Sequence, residues 1–202
     1  MKTCEYAGAP FLDARSHPWQ GSASEPAACY YDFTASPQLI RRVLEDFLPW
    51  ARYSAIETFY ALLERLNHPR SALESNDCAF LGPHPNDEPS VEKAVLCSGR
   101  VMVLFRQLTR NTSSDAILSL ENQLHQELGA LDTAFAWGRV GTSVVPTRYL
   151  SLPESNDQQL GAQLMISFWA WGDSDADTLS NLGRLFKNLA RALRIVSARV
   201  AA

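Results

Sequence analysis

Apolar residues recur at spacings of three and four in four stretches of the chain, which is the periodicity of helices with one buried face. The first carries Leu39, Ile40, Val43, Leu44 and Phe47, and the second carries Tyr53, Ile56, Phe59, Tyr60 and Leu63. A third places Ile117, Leu120, Leu124, Leu128 and Leu131 on one seam, and a fourth does the same with Leu179, Leu182, Phe186, Leu189, Leu193 and Val196. Ser36 followed by Pro37 supplies an N-cap and a first-turn proline for the first helix. Pro49 interrupts it, and a second helix is expected from about Trp50 to Leu66, ended by Asn67, His68 and Pro69. The polar run from Asn111 to Asp115 caps the third, and the last is expected from about Asp175 to Val196.

The intervening stretches read as strands. Ala28 to Thr34 is one, and Ala162 to Trp171 is another, strongly apolar on both faces. Glu92 to Cys97 and Arg100 to Arg106 flank Ser98 and Gly99, a two-residue hairpin signal. Phe135 to Val140 and Val144 to Leu152 read as strands on either side of Gly141. The stretch from Ser71 to Pro89 holds three prolines and reads as a long loop with one short strand at Cys78 to Leu81. Loops of that length in compact domains are often functional.

This order predicts an α+β fold, a single mainly antiparallel sheet with its helices packed largely on one face, with a ferredoxin-like variant as one arrangement. The first 27 residues are rich in Ala, Gly, Pro and Ser without a period, and are expected to form a loosely ordered arm before one α+β domain spanning 28–202. A chain of 202 residues with 46% hydrophobic content is large enough for a core that needs no staples.

Cys4, Cys29, Cys78 and Cys97 form no CxxC pair, so neither a compact zinc site nor a redox dithiol is indicated, and buried or idle thiols are expected. The N-terminal stretch has no apolar run of the secretory kind, and no stretch approaches the roughly 18 apolar residues of a membrane helix. Together these features point to a reducing, cytoplasmic setting without membrane contact.

A formal net charge of −4 argues against direct nucleic-acid binding through the overall field. The distribution of charge says more than its sum. Ser71 to Glu92 contains no Lys or Arg but has Glu74, Asp77, Asp87, Glu88 and Glu92. Tyr149 to Gly183 likewise contains none, and has Glu154, Asp157, Asp173, Asp175 and Asp177. The final segment reverses the sign with Arg184, Lys187, Arg191, Arg194 and Arg199. Glu-Ser-Asn-Asp occurs twice, at Glu74 to Asp77 and Glu154 to Asp157, but the flanks do not align, so both are read as acidic, turn-forming segments.

The alternating aspartates of "WGDSDAD" invite a metal reading. Counted from Asp173, however, the glycine and glutamate positions of a calcium-binding EF-hand hold Thr178 and Arg184. Helix initiation accounts for the spacing: Ser174 is an N-cap, Asp177 completes a capping box, and Asp175 sits where the helix dipole favours negative charge. Trp169 and Trp171 point to the sheet face opposite Leu164, Ile166 and Phe168, and with helices on only one side of the sheet one of these sets needs another cover, such as the N-terminal arm or a partner.

No nucleophile elbow, Walker loop, HExxH pair or dinucleotide fingerprint occurs. The remaining catalytic candidates are a Cys78/His84 nucleophile pair and a carboxylate metal site around Asp173. His125 reads as a solvated helix residue.

The segments "SGRVMVLFRQLTRNT" (98–112), "VGTSVVPTRYLSLP" (140–153) and "QLMISFWAWGDSDADTLSNLGRLFKNL" (163–189) resemble small bacterial immunity proteins, the cognate antidotes of polymorphic or type VI secreted toxins, with immunity protein family 52 the nearest in kind. The resemblance covers about half the chain. It implies a cytoplasmic, non-catalytic protein without cofactor or resident metal that binds one toxin, of a nuclease type, and blocks it. A nuclease presents a basic substrate groove, which the acidic stretches complement. The expected partner-binding residues are Glu74, Asp77, Asp87, Glu88, Glu154 and Asp157, with Trp169 and Trp171 as anchors. The alternative is a small carboxylate-metal or Cys/His enzyme.

Overall fold

The computed structural model describes residues 1–5, 15–19, 30–152 and 159–201. Along these the elements run β1 (Lys2–Glu5), β2 (Arg15–His17), α1 (Ile40–Val43), α2 (Ser54–Leu66), β3 (Leu73–Pro85), β4 (Val95–Phe105), α3 (Ser114–Ala130), β5 (Gly138–Tyr149), β6 (Leu160–Gly172) and α4 (Asp175–Ala201). Short 3-10 turns at Pro37–Leu39 and Glu45–Trp50 flank α1. The amphipathic stretch beginning at Ser36 is therefore a chain of short turns, with Pro49 inside the last of them.

One mixed, open sheet has the order β1-β5-β6-β4-β3, and β2 also lies along β5. β3, β4, β6 and β5 pair antiparallel, while β1 and β2 run parallel to β5 at its outer edge. The α+β class and the single sheet agree with the sequence reading. The connectivity is ββα twice over, β3-β4-α3 and then β5-β6-α4, whereas a ferredoxin-like sheet interleaves βαβ units.

The core lies between the sheet and α2, α3 and α4. Its centre is a run of rings drawn from five elements: Phe47 stacks on Phe59 at 4.7 Å and on Phe80 at 4.9 Å, and Phe186 meets Phe59 at 4.8 Å and Phe168 at 4.9 Å. Offset and edge contacts of this kind add roughly 0.5–1.5 kcal/mol per pair beyond burial. The strand alternation sends Val101, Val103, Leu164, Ile166 and Phe168 into this core, as the periodicity of two requires.

Three local expectations are corrected. Of the strand expected at Ala28 to Thr34, the described part is no strand, because the Asp32 carboxylate accepts from the Thr34 and Ala35 amides, both at 2.9 Å, and turns the chain. The long loop expected from Ser71 to Pro89 is largely β3, an edge strand. Its register shifts between Ser75 and Cys78 and between Leu81 and His84, and these irregularities break the alternation that would have announced it. Pro83 and Pro85 are tolerated there because the strand has a free edge.

Ser98 and Gly99 make no hairpin: β4 runs straight through them, and the β3–β4 connection lies at 86–94. Gly99 is needed for close approach instead. A Cβ at this position would overlap the Ala79 carbonyl oxygen and the Phe168 ring. Gly141 likewise lies inside β5 and divides nothing.

The described parts of the N-terminal segment are strands rather than unpatterned coil. β1 covers Arg139 to Thr142 and β2 covers Thr147 to Tyr149 of β5. Pro146 falls between the two, where β5 has no outer partner among the described residues. Among the described residues no helix is long and apolar enough to cross a membrane.

Glycine chemistry at two sites gives opposite expected outcomes. Gly99→Val forces strand β4 away from Phe168 and lowers the unfolding free energy by about 1–3 kcal/mol in urea denaturation. Gly129→Ala, in α3 with open space around the new methyl group, raises it by about 0.5–1 kcal/mol.

Candidate functional site

Of the six acids expected to bind a partner, the structure places Asp87 and Glu88 at one end of the sheet, together with Glu92, Asp173, Asp175 and Asp177. Register sets this geometry: Val95 opposes both Pro85 and Gly172, so the β3–β4 loop and the β6–α4 junction lie side by side. The Thr178 hydroxyl lies 3.4 Å from the Val95 carbonyl oxygen, and Lys93 pairs with Asp173 across the two loops. Asp87, Glu92, Asp173 and Asp175 are exposed there, with Glu88 and Asp177 half-buried among them.

The loop is ordered by Asn86. Its side-chain amide donates to the carbonyls of Val91 at 3.0 Å and Lys93 at 2.8 Å, and its oxygen accepts from the Glu88 amide at 3.1 Å. The Ser90 hydroxyl donates to Glu88 at 2.7 Å, and this bond holds the Glu88 carboxyl below its ordinary range, with the distant Arg139 adding to the effect. A loop tied in this way presents its charges with little ordering cost on binding.

At the adjoining junction, the Asp177 amide donates to Ser174 Oγ at 3.3 Å, and the Asp177 carboxylate accepts from the Asp173 amide at 3.0 Å. The aspartates of "WGDSDAD" do initiate α4, as their spacing indicated. Among the described residues no three His, Cys, Asp or Glu side chains converge as a metal site would need.

Trp137 stands within this end at 40% exposure, with the Lys93 ammonium 4.6 Å from its ring centroid. Its backbone carbonyl accepts from the Trp171 amide at 3.0 Å, which fixes it beside β6. Sequence reasoning passed over Trp137, because "TAFAWGR" carries neither charge nor period to mark it. An adjoining cleft of about 480 Å³ runs from Ser90, Val91 and Glu92 to Arg139 and Trp171.

The other predicted residues are placed differently. Glu74 lies inside: its Oε1 is 3.1 Å from His17 Nε2, with the two side chains 13% and 7% exposed. Its charge adds to the desolvation that pushes Tyr30 up to about 12 and also raises Tyr149. Asp77 is held by Arg100, at 3.1 Å from Nη2 and 3.2 Å from Nε. Both acids therefore spend their charge within the chain, where partner-binding was expected of them. Glu154 and Asp157 lie outside the described residues.

Trp171 is buried, with the Arg139 guanidinium 5.3 Å from its ring, so it forms a wall and not an anchor. Trp169 is half-buried on the sheet face opposite the helices. There it lines a groove of about 360 Å³ with Leu81, Ser98, Arg100 and Ser167, and Leu81 is 58% exposed.

The chemistry of the remaining nucleophile candidate is unfavourable. Burial holds the Cys78 thiol well above its ordinary pKa, and Asp77 adds to this, so it is no ready thiolate. His84 Nδ1 is 2.8 Å from the Gly82 carbonyl. Burial likewise pushes Cys97 up to about 12. His125, read from the sequence as solvated, contacts the Thr142 hydroxyl at 2.7 Å, and that hydroxyl donates to Glu121 at 2.6 Å. Thr142 is 1% exposed between α3 and β5, so this trio ties a helix to the sheet and offers no access to a substrate.

Compared with known protein families, curated proteins and solved structures, the chain matches none. What the fold and site define is an α+β fold on one mixed sheet, with an acidic end ordered by side-chain hydrogen bonds.

Replacing the cap at this end tests its architecture. Ser174→Ala removes the acceptor of the Asp177 amide and is expected to lower stability by about 0.5–2 kcal/mol in thermal or urea unfolding, without altering the sheet core.

Proposed function

We propose that this protein is an immunity-type inhibitor that binds a basic protein partner, a secreted nuclease toxin, through the acidic end of its sheet. The observation that supports this reading most is the ordered loop 86–94 beside the start of α4. Together they display Asp87, Glu92 and Asp175 around the half-exposed Trp137, with Asp173 paired to Lys93. Aromatic anchors inside a charged rim are the usual composition of an inhibitory interface. The resemblance of segments 98–112, 140–153 and 163–189 to immunity proteins gives the partner its class. The binding surface is narrower than the sequence suggested: Asp87 and Glu88 belong to it, while Glu74 and Asp77 serve the sheet.

Complementary charge acts mainly on the association rate and makes it sensitive to salt, because a Debye length of about 8 Å at physiological ionic strength screens exposed pairs. Capture by the tagged protein from cells that make candidate toxins, at low and high salt with mass spectrometry of what is retained, is expected to yield one stoichiometric partner with a basic domain. Retention falls at high salt. The variant Asp87→Lys/Glu92→Lys/Asp175→Lys is expected to fold normally and to associate roughly tenfold or more slowly at low salt. Undiminished capture by this variant places the interface elsewhere, and an empty capture from such cells removes the inhibitor reading.

A further inference from the structure

At the far end of the helical layer, the last turns of α2 and α4 lie side by side and leave a groove of about 630 Å³ between them. Each helix offers the same ridge to it: Ala61, Leu62, Arg65 and Leu66 from α2, and Leu193, Arg194, Ser197 and Ala198 from α4. The floor is apolar and its leucines are buried, while Arg65, Arg194 and Arg70, the last just beyond α2, stand exposed on the rim.

The balance of charge in this groove is one-sided. Glu64 lines it but is taken by Arg41, whose Nε lies 2.8 Å from Glu64 Oε1. The last carbonyls of α2 and its following turn are also taken. Arg106 donates to Leu66 O at 3.3 Å, His68 O at 2.9 Å and Ser71 O at 2.9 Å. Arg65, Arg70 and Arg194 have no carboxylate partner among the described residues. A cation at a helix C-terminus complements the dipole, which accounts for Arg65 and not for three exposed arginines lining one groove. Serine hydroxyls complete the polar rim, with Ser71 and Ser197 Oγ 3.3 Å apart.

We propose that this groove binds an amphiphilic anion, an apolar chain or ring ending in a carboxylate or phosphate. The head would be held by Arg65, Arg70 and Arg194, and the tail would lie along the exposed Ala61 and Ala198 with Leu62, Leu66 and Leu193 packed beneath them. Volume and lining fit this class: sites of 300–1,000 Å³ with apolar walls and few convergent polar groups are the usual form of small-molecule pockets. The site is separate from the acidic end and does not depend on the inhibitor reading.

Dodecyl phosphate and dodecanoate, each kept below its micelle concentration, are the probes, followed by calorimetry and by methyl shifts of Leu62, Leu66 and Leu193. One equivalent is expected to bind with shifts confined to those methyls. Affinity is expected to fall roughly tenfold or more in Arg65→Glu/Arg194→Glu and to be unchanged in Arg52→Glu, which lies outside the groove. Inorganic phosphate and an uncharged dodecyl glucoside should each bind far more weakly than the joined probe. No saturable binding, shifts located elsewhere, or equal affinity in the double variant would overturn the proposal. So would attachment to phosphatidylglycerol vesicles, or to an acidic amphipathic peptide, without uptake of either monomeric probe.

Discussion

Helices cover one face of the sheet, and the other face must find its own cover; most of what distinguishes this molecule follows from that constraint. The central strands β4 and β6 are apolar on both sides, so leaving the second face bare would expose Met102, Leu104, Met165 and Trp171. Part of the cover is self-packing: Met102, Val145 and Met165 form a small second core. Another part is polar and joins the two edges. Asn76, in the irregular stretch of β3, donates to the Ser16 carbonyl at 3.2 Å and to Gln163 at 3.1 Å, while Glu74 meets His17. An edge strand at one side and β2 at the other thus touch over the open face. The register shift of β3 is what lets Asn76 reach that far.

This polar clasp carries an energetic tension. Among the described residues His17 Nδ1, Asn76 Oδ1 and Gln163 Nε2 are buried without hydrogen-bond partners, and His17 Nε2 is close to Glu74 without the alignment of a hydrogen bond. The clasp's two observed hydrogen bonds and the Glu74–His17 contact fix the register of β3 against β2 and β6. The consequence for function is direct. Glu74 and Asp77, which sit in acidic sequence and look available, are paired with His17 and Arg100, and the exposed carboxylates lie instead at the end where β3 turns into β4.

The helical layer and β6 were legible in the sequence because their signals are redundant. Period, caps and composition agree along α3, where Ser113 accepts from the Ala116 amide as the polar run before it indicated. The same holds for α4, where Ser174 and Asp177 behave as a capping pair. β3 was hidden, because a bulged edge strand with prolines and polar residues has the composition of a loop. Ser98-Gly99 misled for the opposite reason: a turn signature filled a place where Phe168 and the Ala79 backbone leave no room for a side chain. Trp137 could not be singled out from its neighbours, since its exposure depends on how β5 begins beside Trp171. The local signals gave the elements; which acids remained free was set by strand pairing and could not be read from charge runs alone.

Helix α4 connects the two surfaces that carry unspent charge. Its first turn holds Asp175 and Asp177 at the acidic end and its later turns hold Arg194 at the basic groove, so Asp175 and Arg194 lie roughly 28 Å apart along the helix axis. That distance is several Debye lengths at physiological salt, so the two ends do not sense each other's field. The net charge of −4 therefore describes neither end. A basic partner approaching the acidic end meets a potential set by the local carboxylates and not by the average. An anion approaching the groove meets guanidiniums that the overall acidity does not cancel. Burying Leu179, Leu182, Phe186, Leu189 and Leu193 along one side of α4 packs it against β6, so the hydrophobic core lies between its two charged ends.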